Sequence, residues 1–361
     1  MKPISVLVVD DSAVVRKLLS DALGQEPDIQ VVGSAADPFV ARDLILKHNP
    51  DVITLDIEMP RMDGLSFLRR IMEHRPMPVI IVSSITQRGS AASVEALRLG
   101  AIDVIAKPGG PGSVGEVADA IKRRVRALRA GPRLQLQKLT PNQSAPASAR
   151  AARSAGRYNG GLVLVGASTG GTQAIEALLT RLPPDVPPIV IVQHMPPLFT
   201  KAFADRLDQT CPMRVIESAG GETLQPGVVY IAPGDRHLVI ERHGLKLMTA
   251  LRDGPAVHYQ KPAVDVLFHS AARLQGVPMV ATILTGMGQD GADGLLALRQ
   301  AGALTLAEDE QSCVVFGMPK EAIARGGACH VVTLFEMPAM VLECIDKLSI
   351  TTRSTTRAAG A

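Results

Sequence analysis

The chain of 361 residues contains no tryptophan, and only 3% of it is aromatic. With so few rings to stack on bases and a net charge of only +3, it offers no basis for nucleic-acid binding or for attraction to a membrane surface. No apolar run approaches the ~18 residues that a membrane helix needs, so no membrane insertion is expected. The N-terminus shows no basic segment with a cleavage site, and a cytoplasmic location is expected. The four cysteines, Cys211, Cys313, Cys329 and Cys344, form no C-x-x-C pair, which argues against a zinc site and for reduced thiols.

What remains is a chain whose core must be built from Ala, Val, Leu and Ile. Its length suits two domains of ordinary size. Over residues 4–107, short apolar runs ("ISVLVV", "IQVVGSA", "DVITL", "PVIIVS", "DVIAK") alternate with amphipathic stretches. Uniformly apolar strands between helices indicate a parallel sheet covered on both faces, a doubly wound α/β domain. A basic helix containing Lys122, Arg123, Arg124 and Arg126 closes this domain, and these residues are read as a solvated face. The alternation resumes near residue 160 with "GLVLVGAS", "IVIVQH" and "MVATILTG", interrupted by turn-rich β segments "GVVYIAPGDRHLVI" and "GLKLMTA". The expected boundaries are a first domain over 1–130, a flexible Pro/Ser/Ala/Arg-rich linker over 131–157, a second α/β domain with a β insertion over 158–350, and a tail over 351–361.

In open α/β sheets, ligands bind beyond the carboxyl ends of the strands. In the first domain those ends carry Asp10 and Asp11, Asp56, Ser83 and Lys107. Carboxylates gathered at one point repel each other, and a divalent cation such as Mg²⁺ would relieve that repulsion while holding phosphate oxygens. The set fits phosphoryl transfer to a carboxylate, with Lys107 neutralising charge and Ser83 donating a hydrogen bond.

In the second domain "GASTG" fits G-x-S-x-G, and Ser168 could be a nucleophile if a base and an orienting acid stand nearby. His194 and Asp290 each follow a predicted parallel strand and can meet Ser168 on one sheet edge. His237, in a glycine-flanked turn, is the rival base, and Asp290 could serve instead, or as well, as N-cap of the following helix "GADGLLALRQ". A nucleotide site is the other use of such a turn, yet it lacks G-x-G-x-x-G, a Walker lysine and a suitably spaced acid at a strand end.

The motifs "VVDDS", "LDIEMPRMDG" and "KP" make the first domain resemble the receiver domain of two-component response regulators. From "GASTGGT", "QHMPPLFT", "YIAPGDRHL", "VDVLFHSAA", "LTGMGQDGADG" and "SCVVFGMP", residues 160–349 resemble the catalytic domain of chemotaxis protein-glutamate methylesterases. The folds implied are a flavodoxin-like receiver and a Rossmann-like α/β methylesterase domain. The resemblance implies Asp56 as phosphoacceptor, Mg²⁺ held by Asp11, Asp56 and the backbone carbonyl of Glu58 with help from Asp10, and Ser83 and Lys107 as sensors of the phosphoryl group. It also implies Ser168 as nucleophile, His194 as base, Asp290 as orienting acid, and the Met287 N–H with the Thr169 neighbourhood near the oxyanion, with no cofactor for hydrolysis. The implied partners are methyl-accepting chemotaxis receptors as substrate and a histidine kinase as phosphodonor. A monomer is expected, with phosphorylation lifting an occlusion of the catalytic cleft. The rival readings are the same hydrolase serving another sensory array, or a non-enzymatic phospho-switch.

Overall fold

The computed structural model describes residues 2–59, 62–107, 114–130 and 161–358. The expected linker over 131–157 lies outside the described residues. The chain divides into two compact units, Met1–Lys138 and Leu139–Ala361.

The first unit has five strands, β1 (Ile4–Val9), β2 (Ile29–Ala35), β3 (Val52–Leu55), β4 (Val79–Ser83) and β5 (Asp103–Ala106), all parallel in the order β2-β1-β3-β4-β5. This is the flavodoxin-like doubly wound order. Five helices alternate with the strands: α1 (Ala13–Gly24), α2 (Pro38–His48), α3 (Gly64–His74), α4 (Gln87–Arg98) and α5 (Val114–Ala130). Helix starts are set by polar side chains that accept the otherwise unpaired first amides. Asp37 takes Phe39 N at 2.8 Å and Asp63 takes Ser66 N at 2.8 Å. All residues of β1, β3 and β4 are buried, as helices on both faces require. Three basic residues of α5 are tied to acids: Arg124 to Asp103 at 2.7 Å, Arg126 to Glu26 at 2.6 Å and Lys122 to Glu26 at 2.9 Å.

The second unit is built on seven parallel strands. They are β6 (Leu162–Ala167), β7 (Ile189–Gln193), β8 (Arg214–Glu217), β9 (Val228–Ile231), β12 (Met279–Ile283), β13 (Leu304–Glu308) and β14 (His330–Val332), in the order β14-β13-β12-β6-β7-β9-β8. The antiparallel hairpin β10 (His237–His243) and β11 (Lys246–Arg252) stands apart as a two-stranded sheet. The segment "VVYI" therefore belongs to the main sheet and not to the insertion: β9 pairs with β7, and Val229, Tyr230 and Ile231 are buried. The helices are α6 (Gly171–Leu179), α7 (Phe199–Thr210), α8 (Val264–Ala272), α9 (Ala292–Gln300), α10 (Met318–Ala324) and α11 (Met337–Ala358). The domain edge expected at 350 falls inside α11. The hairpin is fastened to α8 by Ile240 N, which donates to Ser270 Oγ at 3.0 Å.

After β6 the chain moves to β7 on one side, and it later returns to β12 on the other. The loops that leave β6 and β12 thus diverge from a topological switch point, where a crevice opens in open α/β sheets.

Candidate active site

In the first unit the expected residues converge. Ligand oxygens of Asp10, Asp11 and Asp56 lie within 4.8 Å of one another. Lys107 Nζ reaches Asp56 at 2.8 Å and Asp10 at 3.0 Å. Asp56 Oδ1 also accepts the Glu58 N–H at 3.1 Å, whereas the Glu58 side chain is held away by Ser84 Oγ at 2.6 Å. Apart from the Lys107 ammonium, the buried Oδ2 atoms of Asp10 and Asp56 have no hydrogen-bond partner, and neither does Ser83 Oγ. Three carboxylates against one ammonium leave a net negative site with unfilled acceptor positions, and that donor set suits a hard divalent cation. Burial lifts Asp10 and Asp56 above the usual carboxylate range, and Lys107 only partly offsets it. Burial pulls Lys107 down, yet contact with Asp56 and Asp10 leaves it above its ordinary value.

In the second unit Ser168 and His194 follow the paired residues Ala167 and Gln193 of β6 and β7. The register continues one step further, since His194 N donates to Ala167 O at 3.1 Å. Ser168 and His194 are therefore cross-strand neighbours. His194 Nε2 meets Asp290 Oδ2 at 2.7 Å, while Nδ1 is buried and without a hydrogen-bond partner. The nitrogen left for a serine hydroxyl is thus Nδ1.

Asp290 is a cap, but not of the helix that follows it. Its Oδ2 accepts Val264 N at 2.7 Å and its Oδ1 accepts Asp265 N at 2.9 Å, so it closes the start of α8. Helix α9 is instead served by Asp265, whose Oδ1 accepts Gly294 N at 2.7 Å, and its own N-cap position is Gly291. The two aspartates cap each other's helices. Burial works to raise Asp290, but His194 and the two amides outweigh it and hold the carboxyl below its usual range.

The rival base is fully occupied. His237 Nε2 lies 3.0 Å from Pro255 O and Nδ1 accepts Ala263 N at 3.3 Å, so this histidine fastens the chain that leads into α8.

The turn that carries Ser168 is shaped by groups that the sequence pattern does not single out. Ser168 N donates to Thr285 O at 3.0 Å, and Ser168 O accepts Gln193 Nε2 at 2.9 Å. Thr169, also buried, gives its carbonyl to Thr285 Oγ1 at 3.0 Å. Gly170 at φ +79° turns the chain into α6, and a Cβ there would lie 2.5 Å from Val314 Cβ. A Cβ on Gly286 would stand 2.8 Å from Ser168 Cβ, so only glycine lets the loop after β12 close over the serine. Met287 follows in that turn, which is held by Gly286 N to Val315 O at 3.0 Å and Met318 N to Gly286 O at 2.8 Å. The available signals were a glutamine ending an apolar strand in "IVIVQH" and a threonine before glycine in "LTGMG".

The chain has clear relatives. Residues 6–119 match the family model described as response regulator receiver domain, and residues 163–341 match that described as CheB methylesterase. A protein-glutamate methylesterase/protein-glutamine glutaminase of Syntrophus aciditrophicus is 50% identical over 334 residues, covering 92% of this chain and 97% of that one. A protein of the same description from Anaeromyxobacter dehalogenans is 52% identical over 324 residues, or 90% of each chain. Among solved structures, the Thermotoga maritima CheB methylesterase catalytic domain is 41% identical with a TM-score of 0.50, covering 52% of this chain and 98% of that one.

Proposed function

The chain belongs to the chemotaxis protein-glutamate methylesterase family, a response-regulator receiver followed by a methylesterase, and we propose how its own residues carry out that reaction. It hydrolyses glutamate methyl esters on chemoreceptors, deamidates glutamines by the same route, and is activated by phosphorylation.

The carrying observation is the buried His194–Asp290 pair with a vacant imidazole nitrogen beside the serine turn. With Nε2–H donating to Asp290, the imidazole keeps a lone pair on Nδ1. Ser168 Oγ attacks the side-chain carbonyl, and His194 Nδ1 takes its proton. Asp290, anchored by two helix amides, holds the ring and stabilises the imidazolium. The Met287 N–H and the Thr169 turn face the developing oxyanion, where the N-terminus of α6 adds positive potential. The carbonyl re-forms as the C–O bond to methanol, or the C–N bond to ammonia, breaks, and His194 returns the proton to the leaving group. Water activated by His194 then splits the acyl-serine and releases glutamate. No cofactor enters this sequence.

In the receiver, Asp10, Asp11, Asp56 and the Glu58 carbonyl would hold Mg²⁺, which when bound supplies charge neutralisation for the phosphoryl group. Asp56 accepts the phosphoryl group from a histidine kinase, and Lys107 and Ser83 sense it. No helix among the described residues is long and apolar enough to cross a membrane. The same reading has the chain act as a monomer in the cytoplasm on receptor helices. Methanol release from methylated receptor membranes, with and without a small phosphodonor, tests the whole reading. A chain that releases none under either condition would defeat it.

A further inference from the structure

We propose that Glu308 is a positioning residue for the hydrolysis: by accepting the Thr285 N–H, it fixes the backbone link that sets the nucleophile turn against the Gly286–Met287 turn. The inference rests on the reading of Ser168 as nucleophile. Glu308 ends β13 and is fully buried. Its neighbour Ala307 pairs with Ile283, the last residue of β12, so the Glu308 carboxyl lies beside the loop that leaves β12. Oε2 accepts Thr285 N at 2.7 Å.

Every polar group of Thr285 is then engaged. Its N–H goes to Glu308, its carbonyl takes Ser168 N at 3.0 Å, and its hydroxyl reaches Thr169 O at 3.0 Å while accepting Val315 N at 2.9 Å. Thr285 is the junction of three chain segments, and Glu308 is the anchor behind it. Its displacement would move Ser168 and the Met287 amide apart, and a misplacement of about 1 Å at such a site costs on the order of 100-fold in rate.

A carboxyl is an expensive way to fill a core position. Glu308 Oε1 is buried with no hydrogen-bond partner, and nothing in the His194–Asp290 pair needs it. Burial pushes the group up to about 7, against the pull of the Thr285 N–H, with Asp309 adding repulsion. Ser312 and Cys313 face it from the following turn, and the Cys313 thiol is raised by burial and by the carboxylate. The acceptor on Thr285 therefore changes charge near neutral pH, and ionisation strengthens the bond it makes.

The test uses the full chain with phosphodonor and reads both methanol release and the rate at which a fluorophosphonate labels Ser168. Glu308→Gln keeps an acceptor oxygen but cannot titrate, whereas Glu308→Leu fills the space without an acceptor. The Leu variant should lose at least about tenfold in kcat and in labelling rate with KM within about twofold, and the Gln variant should stay within about threefold at pH 7. Between about pH 6 and 8 the labelling profile of the Gln variant should be flatter than that of the unmodified chain. A folded Leu variant with unchanged kcat, or a Gln variant as slow as Leu, overturns the inference. If the Leu variant does not fold, a Gln profile that superimposes on the unmodified chain overturns it. Mapping the label separates the two levels: label absent from Ser168 in the unmodified chain defeats the nucleophile reading itself, and label on Ser168 at an unchanged rate in the Leu variant defeats only the role of Glu308.

Discussion

Asp56 and Asp290 both lie in loops beyond the carboxyl end of a parallel strand, Asp56 directly after β3 and Asp290 farther along the loop after β12, and both are almost wholly buried, yet their surroundings prepare them for opposite uses. Asp290 receives two helix amides and an imidazole, so its charge is compensated and its carboxyl is held below the usual range. Asp56 shares one ammonium with Asp10 and is held above it. On the proposed roles, the carboxylate that must stay charged throughout a catalytic cycle is the one surrounded by donors. The one proposed to take up a new group is left short of them.

The comparison predicts effects of very different size. Ser168→Ala or His194→Ala should lower methanol release by about 10⁴-fold or more, each nearly as damaging as both together, because the two act as one unit. Additive losses in the double variant would break the triad. Asp290→Asn should fold and still lose about 10³- to 10⁴-fold, since an amide can favour the tautomer with its proton on the wrong nitrogen. A mild loss would mean that the acid serves only as a helix cap.

Asp56→Asn should abolish the response to phosphodonor and leave the basal rate in place, and EDTA should do the same, because the acids that would hold the cation belong to the other unit. Basal hydrolysis that falls with EDTA would place a metal in the catalytic chemistry. The smallest effect is on stability, and its sign should differ between the two acids. For Asp56 and Asp10 the folded value is raised, so the native state holds protons more tightly and stability is lost as pH rises from the ordinary carboxyl range through the raised values. Without divalent cations at neutral pH, Asp56→Asn should therefore raise the melting temperature of the receiver transition, by a stability gain of roughly 1 kcal/mol. For Asp290 the folded value is depressed, so its contribution is present above the ordinary range and lost as pH falls. Asp290→Asn should lower stability by about 1 kcal/mol at the same pH, through weaker capping of α8. Calorimetry that found the same sign for both variants would blur the distinction.

Both sheets were legible because their strands are short, apolar and punctuated by turns, and candidate site residues could be picked out because topology brings strand ends together. The sequence pattern misplaced "VVYI", since a four-residue strand between turns reads alike in a hairpin and in a parallel sheet, and only pairing with β7 decides. The capping role it offered Asp290 as an alternative fell on the following helix, whereas the carboxylate serves α8. Capping rules look a few residues ahead, whereas the amides that Asp290 accepts lie 26 and 25 residues before it in the chain. Gln193, Thr285 and Glu308 were not legible as site residues, because each works through backbone groups whose positions exist only after the strands have paired.

The reciprocal capping of α8 by Asp290 and α9 by Asp265 bears on local unfolding. Neither helix can unwind at its first turn without releasing the other's carboxylate, so the two starts should open as one cooperative unit. The amide hydrogens of Val264, Asp265 and Gly294 should then exchange with solvent deuterium at a common free energy, well above that of the exposed β10–β11 tip around Leu245. Protection at Val264 becomes a readout, in the absence of any substrate, of whether the acid bonded to His194 is in its place.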